Sequence, residues 1–243
     1  MKPAPEQIDH FIEMALQEDV GPGDYTSMAC IPEDARSTAR LLVKDVGIIA
    51  GVEVARRAFR KVDPDARFTE FIADGTAVRP GDIVFEVSCN TRALLMAERI
   101  VLNTMQRMSG IATLSNQFLF EVEDLGVTVL DTRKTTPLIR FLEKWAVKLG
   151  GCENYRFGLY DWFMIKDNHI DACGGIAQAI ERVAAWKEAH QLDLPVTVEV
   201  RNLQEVWEVM EHGKGKVRRV MFDNFELPLL REGVAIVGDT FET

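Results

Sequence analysis

Arg133 and Lys134 stand side by side in "DTRKTTPLIR" (residues 131–140), directly after the apolar run "VTVL". A guanidinium fork pairs bidentately with a carboxylate or phosphate, and an ammonium adds a point charge beside it. Two adjacent cations where a strand-like run ends can therefore hold two anions close together. Three further apolar runs end in charged residues: "WFMIKD" in Lys166 and Asp167, "PVTVEV" in Glu199 with Arg201 just beyond, and "VRRVMFDN" in Asp223 and Asn224. Glu199 and Asp223 cannot bind anions; carboxylates there suit sugar hydroxyls or Mg²⁺. From Arg133 to Lys166 there are seven basic and three acidic residues, a local positive excess inside a chain whose net charge is −10. Cations for anions, with carboxylates for a metal or a ribose, point to an enzyme of phosphorylated sugars.

Something must bring those ends together. The four apolar runs alternate with helical patterns such as "IRFLEKWAVKLGG" and "IAQAIERVAAWKEAH", and strand–helix alternation predicts a parallel sheet. In an α/β barrel the C-terminal strand ends ring one mouth, where active sites are built; an open doubly wound sheet gathers them less completely. Upstream the grammar is different. Ile8, Phe11, Ile12, Ala15 and Leu16 have helical spacing before a break at "GPGD". "TARLLVKDVGIIAG" reads as paired strands, and "VEVARRAFRKV" puts Val54, Ala55, Ala58, Phe59 and Val62 on one helical face. "RFTEFIADGTAVRPGDIVFEVS" reads as two strands with turns at Asp74-Gly75 and Pro80-Gly81. A long helix follows, with Leu94, Ala97, Val101, Met105, Met108 and Ala112 in one stripe. The expected organisation is an N-terminal α+β domain over residues 1–112 and an α/β barrel domain over 113–243.

The chain has 243 residues, 47% of them hydrophobic, enough for one large domain or two modest ones. Its acidic balance argues against a nucleic-acid or anionic-membrane partner. No apolar run approaches the roughly 20 residues of a membrane helix, and "MKPAPEQIDH" lacks an apolar signal core, so a cytoplasmic protein is expected. Cys30, Cys89, Cys152 and Cys173 form no C-x-x-C pair, and no HExxH spacing occurs. Disulfide frameworks and His- or Cys-ligated transition metals are therefore not indicated.

"DTRKTTPLIRFLEKWAVKLGG", "NYRFGLYDWFMIKDNHI", "AERIVLNTMQRMSGIAT", "EDVGPGDYTS" and "VEVRNLQE…VMFDNF" together resemble the quinolinate phosphoribosyltransferases, over essentially the whole chain. The resemblance implies transfer of a phosphoribosyl group from phosphoribosyl pyrophosphate to quinolinate, with loss of CO₂, using Mg²⁺, in NAD biosynthesis. It implies an N-terminal α+β sandwich domain followed by an incomplete TIM-like α/β barrel, in a homodimer or higher assembly of dimers. By the same resemblance, Arg133, Arg156 and Lys166 would grip the quinolinate carboxylates, with Thr132 and Tyr155 also in contact with substrate. Arg99 of "AER" would reach in from the neighbouring subunit. Lys134, Glu199 and Asp223 match the family positions that serve the phosphoribosyl group, Glu199 and Asp223 holding its metal.

The chain departs from the family pattern at three positions. Leu138 and Cys152 stand where glycines are usual, and Tyr155 replaces a histidine of the quinolinate pocket, keeping a hydrogen-bond donor but no positive charge. The family also continues past "GDTFET" with a glycine-rich segment and further strands, so either the sequence is a fragment or its C-terminal phosphate site is incomplete. Two other readings are a degenerate homologue that binds without turnover and a related barrel enzyme acting on another phosphosugar.

Overall fold

The structure is a computed structural model that describes residues 2–243. In the first of two compact units, which ends at Tyr155, α1 (Pro5–Val20) buries Ile8 and Ile12 of the stripe its spacing predicts and half-buries Phe11, Ala15 and Leu16. Asp24 caps α2 (Tyr25–Cys30) by accepting a 3.0 Å bond from the Ser27 amide. Then come β1 (Arg36–Leu42), β2 (Gly47–Ile48), α3 (Val52–Val62), β3 (Arg67–Glu70), β4 (Ala77–Val78) and β5 (Ile83–Asn90). Last are the 30-residue α4 (Thr91–Phe120) and α5 (Arg140–Leu149).

β1 and β2 do not pair with each other as the sequence pattern predicts. β1 runs antiparallel to β5, from Arg36↔Asn90 to Leu42↔Ile83, and β2 pairs with β4 through Gly47↔Val78. The reason is the length of β5: it buries Val84, Phe85, Val87 and Cys89 and offers both edges, to β1 and to β3. The segment predicted as two strands is thereby three, with the two-residue β4 leaving the larger sheet. All six residues of the predicted α4 stripe are buried, each large one worth about 1.5–3 kcal/mol against exposure. α4 passes unbroken through the expected boundary at 112/113, and α5 packs against it. Gly150, just after α5, permits this approach: a Cβ there would lie 2.3 Å from the Ala112 carbonyl oxygen.

The second unit, Arg156–Thr243, alternates strand and helix. β6 (Phe163–Ile165), α6 (Asp167–Cys173), α7 (Ile176–Ala189), β7 (Val196–Val200), α8 (Leu203–His212), β8 (Arg219–Phe222) and α9 (Leu227–Val237) follow in order. The sheet order is β6-β7-β8, all parallel, with Ile165↔Val198 and Val200↔Phe222 in register. Every residue of β7 is buried, as expected for a parallel strand covered on both faces.

The fourth predicted run behaves otherwise. "VTVL" lies in the first unit, and its strand pairing among the described residues is one parallel bridge, Leu130↔Glu153. Val127 is 55% exposed and Leu130 36%. With one neighbour and no ladder, the run is not the buried strand that its composition predicts. No helix among the described residues is long and apolar enough to cross a membrane.

Candidate active site

In the first unit the predicted residues cluster on the segment Asp131–Thr136. Thr132 and Lys134 are exposed, and the Thr132 hydroxyl accepts a 3.0 Å bond from the Lys134 amide, fixing a tight local turn. The Lys134 ammonium has no partner among the described residues. Arg133 is half-buried, and its Nε is buried without a hydrogen-bond partner. An unsatisfied buried donor costs about 1–3 kcal/mol, so an arriving acceptor recovers that cost.

The segment is held by charges the sequence reading counted only as charges. Asp131 Oδ1 accepts from Lys144 Nζ at 2.5 Å and from the Tyr155 amide at 2.8 Å, and Oδ2 accepts from Asn154 Nδ2 at 2.7 Å. Lys144, on α5, is 4% exposed. Its charge is spent inside the protein on Asp131 rather than offered to a ligand, while Lys148 pairs with Glu153 at the surface at 2.5 Å. Glu153 is already in the sequence count, so of these two pairs only Lys144–Asp131 lowers the positive excess after Arg133. Glu143, also on α5 and buried, accepts from Arg107 Nη2 at 2.7 Å and from the Thr136 amide and hydroxyl at 2.9 and 2.8 Å. Burial alone would raise its carboxyl, but the Thr136 and Arg107 bonds outweigh it and hold the group below its ordinary value. The one sequence signal for this network was an adjacent Glu-Lys between Leu142 and Trp145 on an apolar helix face.

Tyr155 is half-buried, placed by its own backbone: its amide donates to Asp131 and its carbonyl accepts from Lys144 Nζ at 3.3 Å. Cys152 is buried and donates to the Ser115 carbonyl at 3.1 Å; burial, then the nearby Asp131 and Glu153 charges, push its thiol up. It does not adopt a positive φ, so its side chain is accommodated where the family has glycine. Leu138 does, at φ 69°, with 94% of its surface exposed. Arg99 lies exposed on α4 and makes no ion pair or hydrogen bond among the described residues, not even with Glu98.

In the second unit the strand ends carry Lys166, Glu199 and Asp223. Lys166 follows β6 directly, its amide donating to His169 Nδ1 at 3.0 Å as α6 begins. Its Nζ pairs with Glu199 Oε2 at 2.9 Å, so a predicted carboxylate-gripping cation and a predicted metal ligand hold each other. Glu199 is 7% exposed. Asp223, at the neighbouring strand end, is exposed; its amide donates to the Val200 carbonyl at 3.0 Å and its Oδ2 accepts from Asn224. Asn224 takes a left-handed turn, φ 54°, which asparagine tolerates. Arg156 Nη1 donates to the Trp162 carbonyl at 3.4 Å.

Parallel βα units with charged C-terminal strand ends place the chain among the α/β enzymes, barrel or doubly wound, that do their chemistry at those ends. The comparisons with known proteins narrow the class. The model of the quinolinate phosphoribosyl transferase N-terminal domain matches residues 24–109, and that of the C-terminal domain matches 111–242. The chain is 42% identical over 245 residues to tobacco "Quinolinate phosphoribosyltransferase [decarboxylating] 1b", covering 96% of this chain and 69% of that protein. It is 36% identical to a Synechocystis protein named probable nicotinate-nucleotide pyrophosphorylase [carboxylating], covering 95% of this chain and 76% of that one. Among solved structures it is similar to NadC from Streptococcus pyogenes (TM-score 0.89, 34% identity, 98% of this chain and 83% of that one). It is also similar to the Francisella tularensis nicotinate-nucleotide pyrophosphorylase (TM-score 0.90, 32% identity, 99% and 83%). The chain belongs to the quinolinate phosphoribosyltransferase family.

Proposed function

We propose that the protein transfers the phosphoribosyl group of phosphoribosyl pyrophosphate to quinolinate and decarboxylates the product to nicotinate mononucleotide, in NAD biosynthesis. The observation that carries this reading is Arg133: a buried, unpartnered Nε beside an exposed, unpaired Lys134, in a segment matching the family motif. Arg133, Arg156 and Lys166 are assigned to the two quinolinate carboxylates, with Thr132 and Tyr155 as neutral contacts. Lys134, Glu199 and Asp223 are assigned to the phosphoribosyl group.

The pyridine nitrogen attacks the anomeric carbon as its bond to pyrophosphate breaks, through an oxocarbenium-like state. Lys134 offsets charge gathering on the leaving group, catalysis by a cation already in place. When the ring carboxylate beside the quaternised nitrogen leaves as CO₂, its bonding pair stays on the ring carbon, stabilised by that nitrogen, until a proton arrives. Lys166 meets a choice here: an incoming carboxylate competes with Glu199 for its ammonium, and exchange would free Glu199 for another role.

Glu199 and Asp223 fit Mg²⁺. The ion is commonly held by one or two carboxylates plus substrate phosphates, and these two oxygen donors occupy adjacent strand ends. Bound there, it would neutralise the pyrophosphate as the bond breaks.

The unpaired, exposed Arg99 supports its donation to a partner's site in a homodimer or higher assembly of dimers. A cytoplasmic location is proposed with it; the free cysteines suit a reducing compartment. The deciding assay compares CO₂ release from quinolinate with turnover of nicotinate, each with phosphoribosyl pyrophosphate. CO₂ and nicotinate mononucleotide from quinolinate are expected. Turnover of nicotinate alone would sink the assignment, and quinolinate binding without turnover would favour a non-catalytic homologue.

A further inference from the structure

α5 carries two consecutive buried charges of opposite sign, Glu143 at 5% and Lys144 at 4% exposed, that do not pair with each other. Successive residues of a helix point about 100° apart. Each therefore reaches a different end of the hexapeptide Asp131–Thr136. Lys144 Nζ holds the Asp131 carboxylate at 2.5 Å, and Glu143 accepts both the amide and the hydroxyl of Thr136. Arg107, from α4, closes the Glu143 end with bonds of 2.9 and 2.7 Å from Nε and Nη2. Between the two anchors lie Arg133 and Lys134, neither with a side-chain partner among the described residues.

Stability alone does not explain this arrangement. Taking two ions out of water costs much of what their attraction returns, and apolar replacements of buried pairs are often neutral or stabilising. Leu142, Trp145 and Ala146 on the same helix show that apolar side chains pack there. What the ions supply and apolar groups cannot is direction: hydrogen bonds to both ends of a segment that has one bridge and no ladder to hold it.

We propose that Glu143 and Lys144 are positioning residues, a two-ended clamp that holds the Asp131–Thr136 segment so that Arg133 and Lys134 are presented to anionic substrates already oriented. Lys144 extends the clamp by bonding the Tyr155 carbonyl as well, so Asp131 and Tyr155 share one anchor. Asn154 completes it, its Nδ2 bridging Asp131 Oδ2 and the Lys144 carbonyl at 2.8 Å. Preorganised charge binds tightly because ordering is not paid for on binding. This inference rests on the functional reading above.

The test is a calorimetric titration of the full chain with quinolinate, for wild type and for Asp131→Asn/Lys144→Met, which removes both charges together and leaves neither ion alone. The double variant is expected to melt near wild type and to bind quinolinate at least tenfold more weakly. Because the clamp acts through Arg133, adding Arg133→Ala to the double variant should weaken binding by clearly less than the product of the separate effects. Unchanged affinity in a folded double variant overturns the clamp, and so does full multiplicativity with Arg133→Ala. A wild type that does not bind quinolinate overturns the functional reading and the clamp with it. If the double variant does not fold, Thr136→Val decides: at this exposed position it removes one donor to Glu143, and the clamp requires at least a threefold loss of affinity in a chain that is still folded at the assay temperature.

Discussion

The two units solve the same problem, fixing charged side chains at the end of an apolar run, by different means. In the second unit β6, β7 and β8 form a parallel ladder over buried valines, so the backbone sets where Lys166, Glu199 and Asp223 emerge. There the emerging charges meet each other, Lys166 on Glu199 at 2.9 Å. In the first unit the run before Asp131 has one bridge, and buried ions on α5 do the holding. There the emerging cations are left without partners. A ladder positions charges that can neutralise one another, whereas the ionic clamp leaves its cations available. The first unit should therefore lose most when a cation is removed, whereas in the second the two ways of breaking the pair should have opposite effects on anion binding.

The largest expected effect is in the first unit. Arg133→Ala should weaken quinolinate binding by about 2–5 kcal/mol, the cost of removing one member of a desolvated charged contact. Lys134→Ala should leave quinolinate affinity nearly intact and abolish turnover, by its assignment to the other substrate. Titration and steady-state assays separate the two, and equal effects on quinolinate binding would break the division of labour. Lys134→Ala also tests Arg99. Alone, Arg99→Ala and Lys134→Ala should each be nearly inactive. Refolded together one to one, half the dimers are hybrid and one site in each is whole. Roughly a quarter of all sites should then recover in a two-fold assembly. No recovery despite demonstrated hybrids would confine Arg99 to its own chain.

The second unit gives a smaller, asymmetric effect. Lys166→Ala should weaken quinolinate binding at least tenfold, roughly 1.4 kcal/mol or more. Glu199→Gln, by freeing Lys166 from its partner, should leave that affinity unchanged or tighten it a few-fold while lowering turnover. If Glu199→Gln weakens quinolinate binding as much as Lys166→Ala does, the pair acts as one structural unit and the contrast with Arg133 fails.

Acid separates the regions further. The Glu143 carboxyl lies below its ordinary value of 4.5 because Thr136 and Arg107 bond its charged form, despite burial. A lowered folded value means that its stabilisation is present above the unfolded pKa and is lost as pH falls through the folded one. The melting-temperature gap between wild type and Glu143→Gln should thus be widest above that ordinary value and shrink on acidification below it. A gap independent of pH would show that the charge of Glu143 contributes nothing to the clamp.

Periodicity made the helices and the second unit legible. The α4 stripe, the faces of α1 and α3, and the runs that became β6, β7 and β8 all follow from where apolar residues recur. The partners of β1 and β2 did not, because pairing such as Ser37↔Cys89 is chosen across the fold and leaves no local mark. "VTVL" misled for a related reason: a strand's burial depends on neighbours its own residues do not name. The candidate site was visible as residue types, Arg133, Lys134, Lys166, Glu199 and Asp223, through motifs. Its support was not. A lysine inside a helix reads the same whether it snorkels to water or, like Lys144, is buried against an aspartate.

The smallest effect is expected at Leu138, beside the clamped segment. It holds φ 69° with its side chain 94% exposed, so nothing packs against it to repay the conformation. A non-glycine residue in the left-handed region costs roughly 1–2 kcal/mol, and the family's usual glycine adopts it freely. Leu138→Gly removes that strain but adds freedom to the unfolded chain, about 0.5–1 kcal/mol in the opposite direction. The strain term is the larger, so the variant should be more stable by about 0.5–1 kcal/mol, read as a small rise in melting temperature. Catalysis should not change, since the clamp fixes the backbone at Thr136, two residues upstream. A gain in stability with a loss of quinolinate affinity would mean that Leu138 helps to hold the segment and that the clamp extends beyond Thr136. A loss of stability would mean that the exposed leucine is covered in the assembled protein, its burial there outweighing the strain.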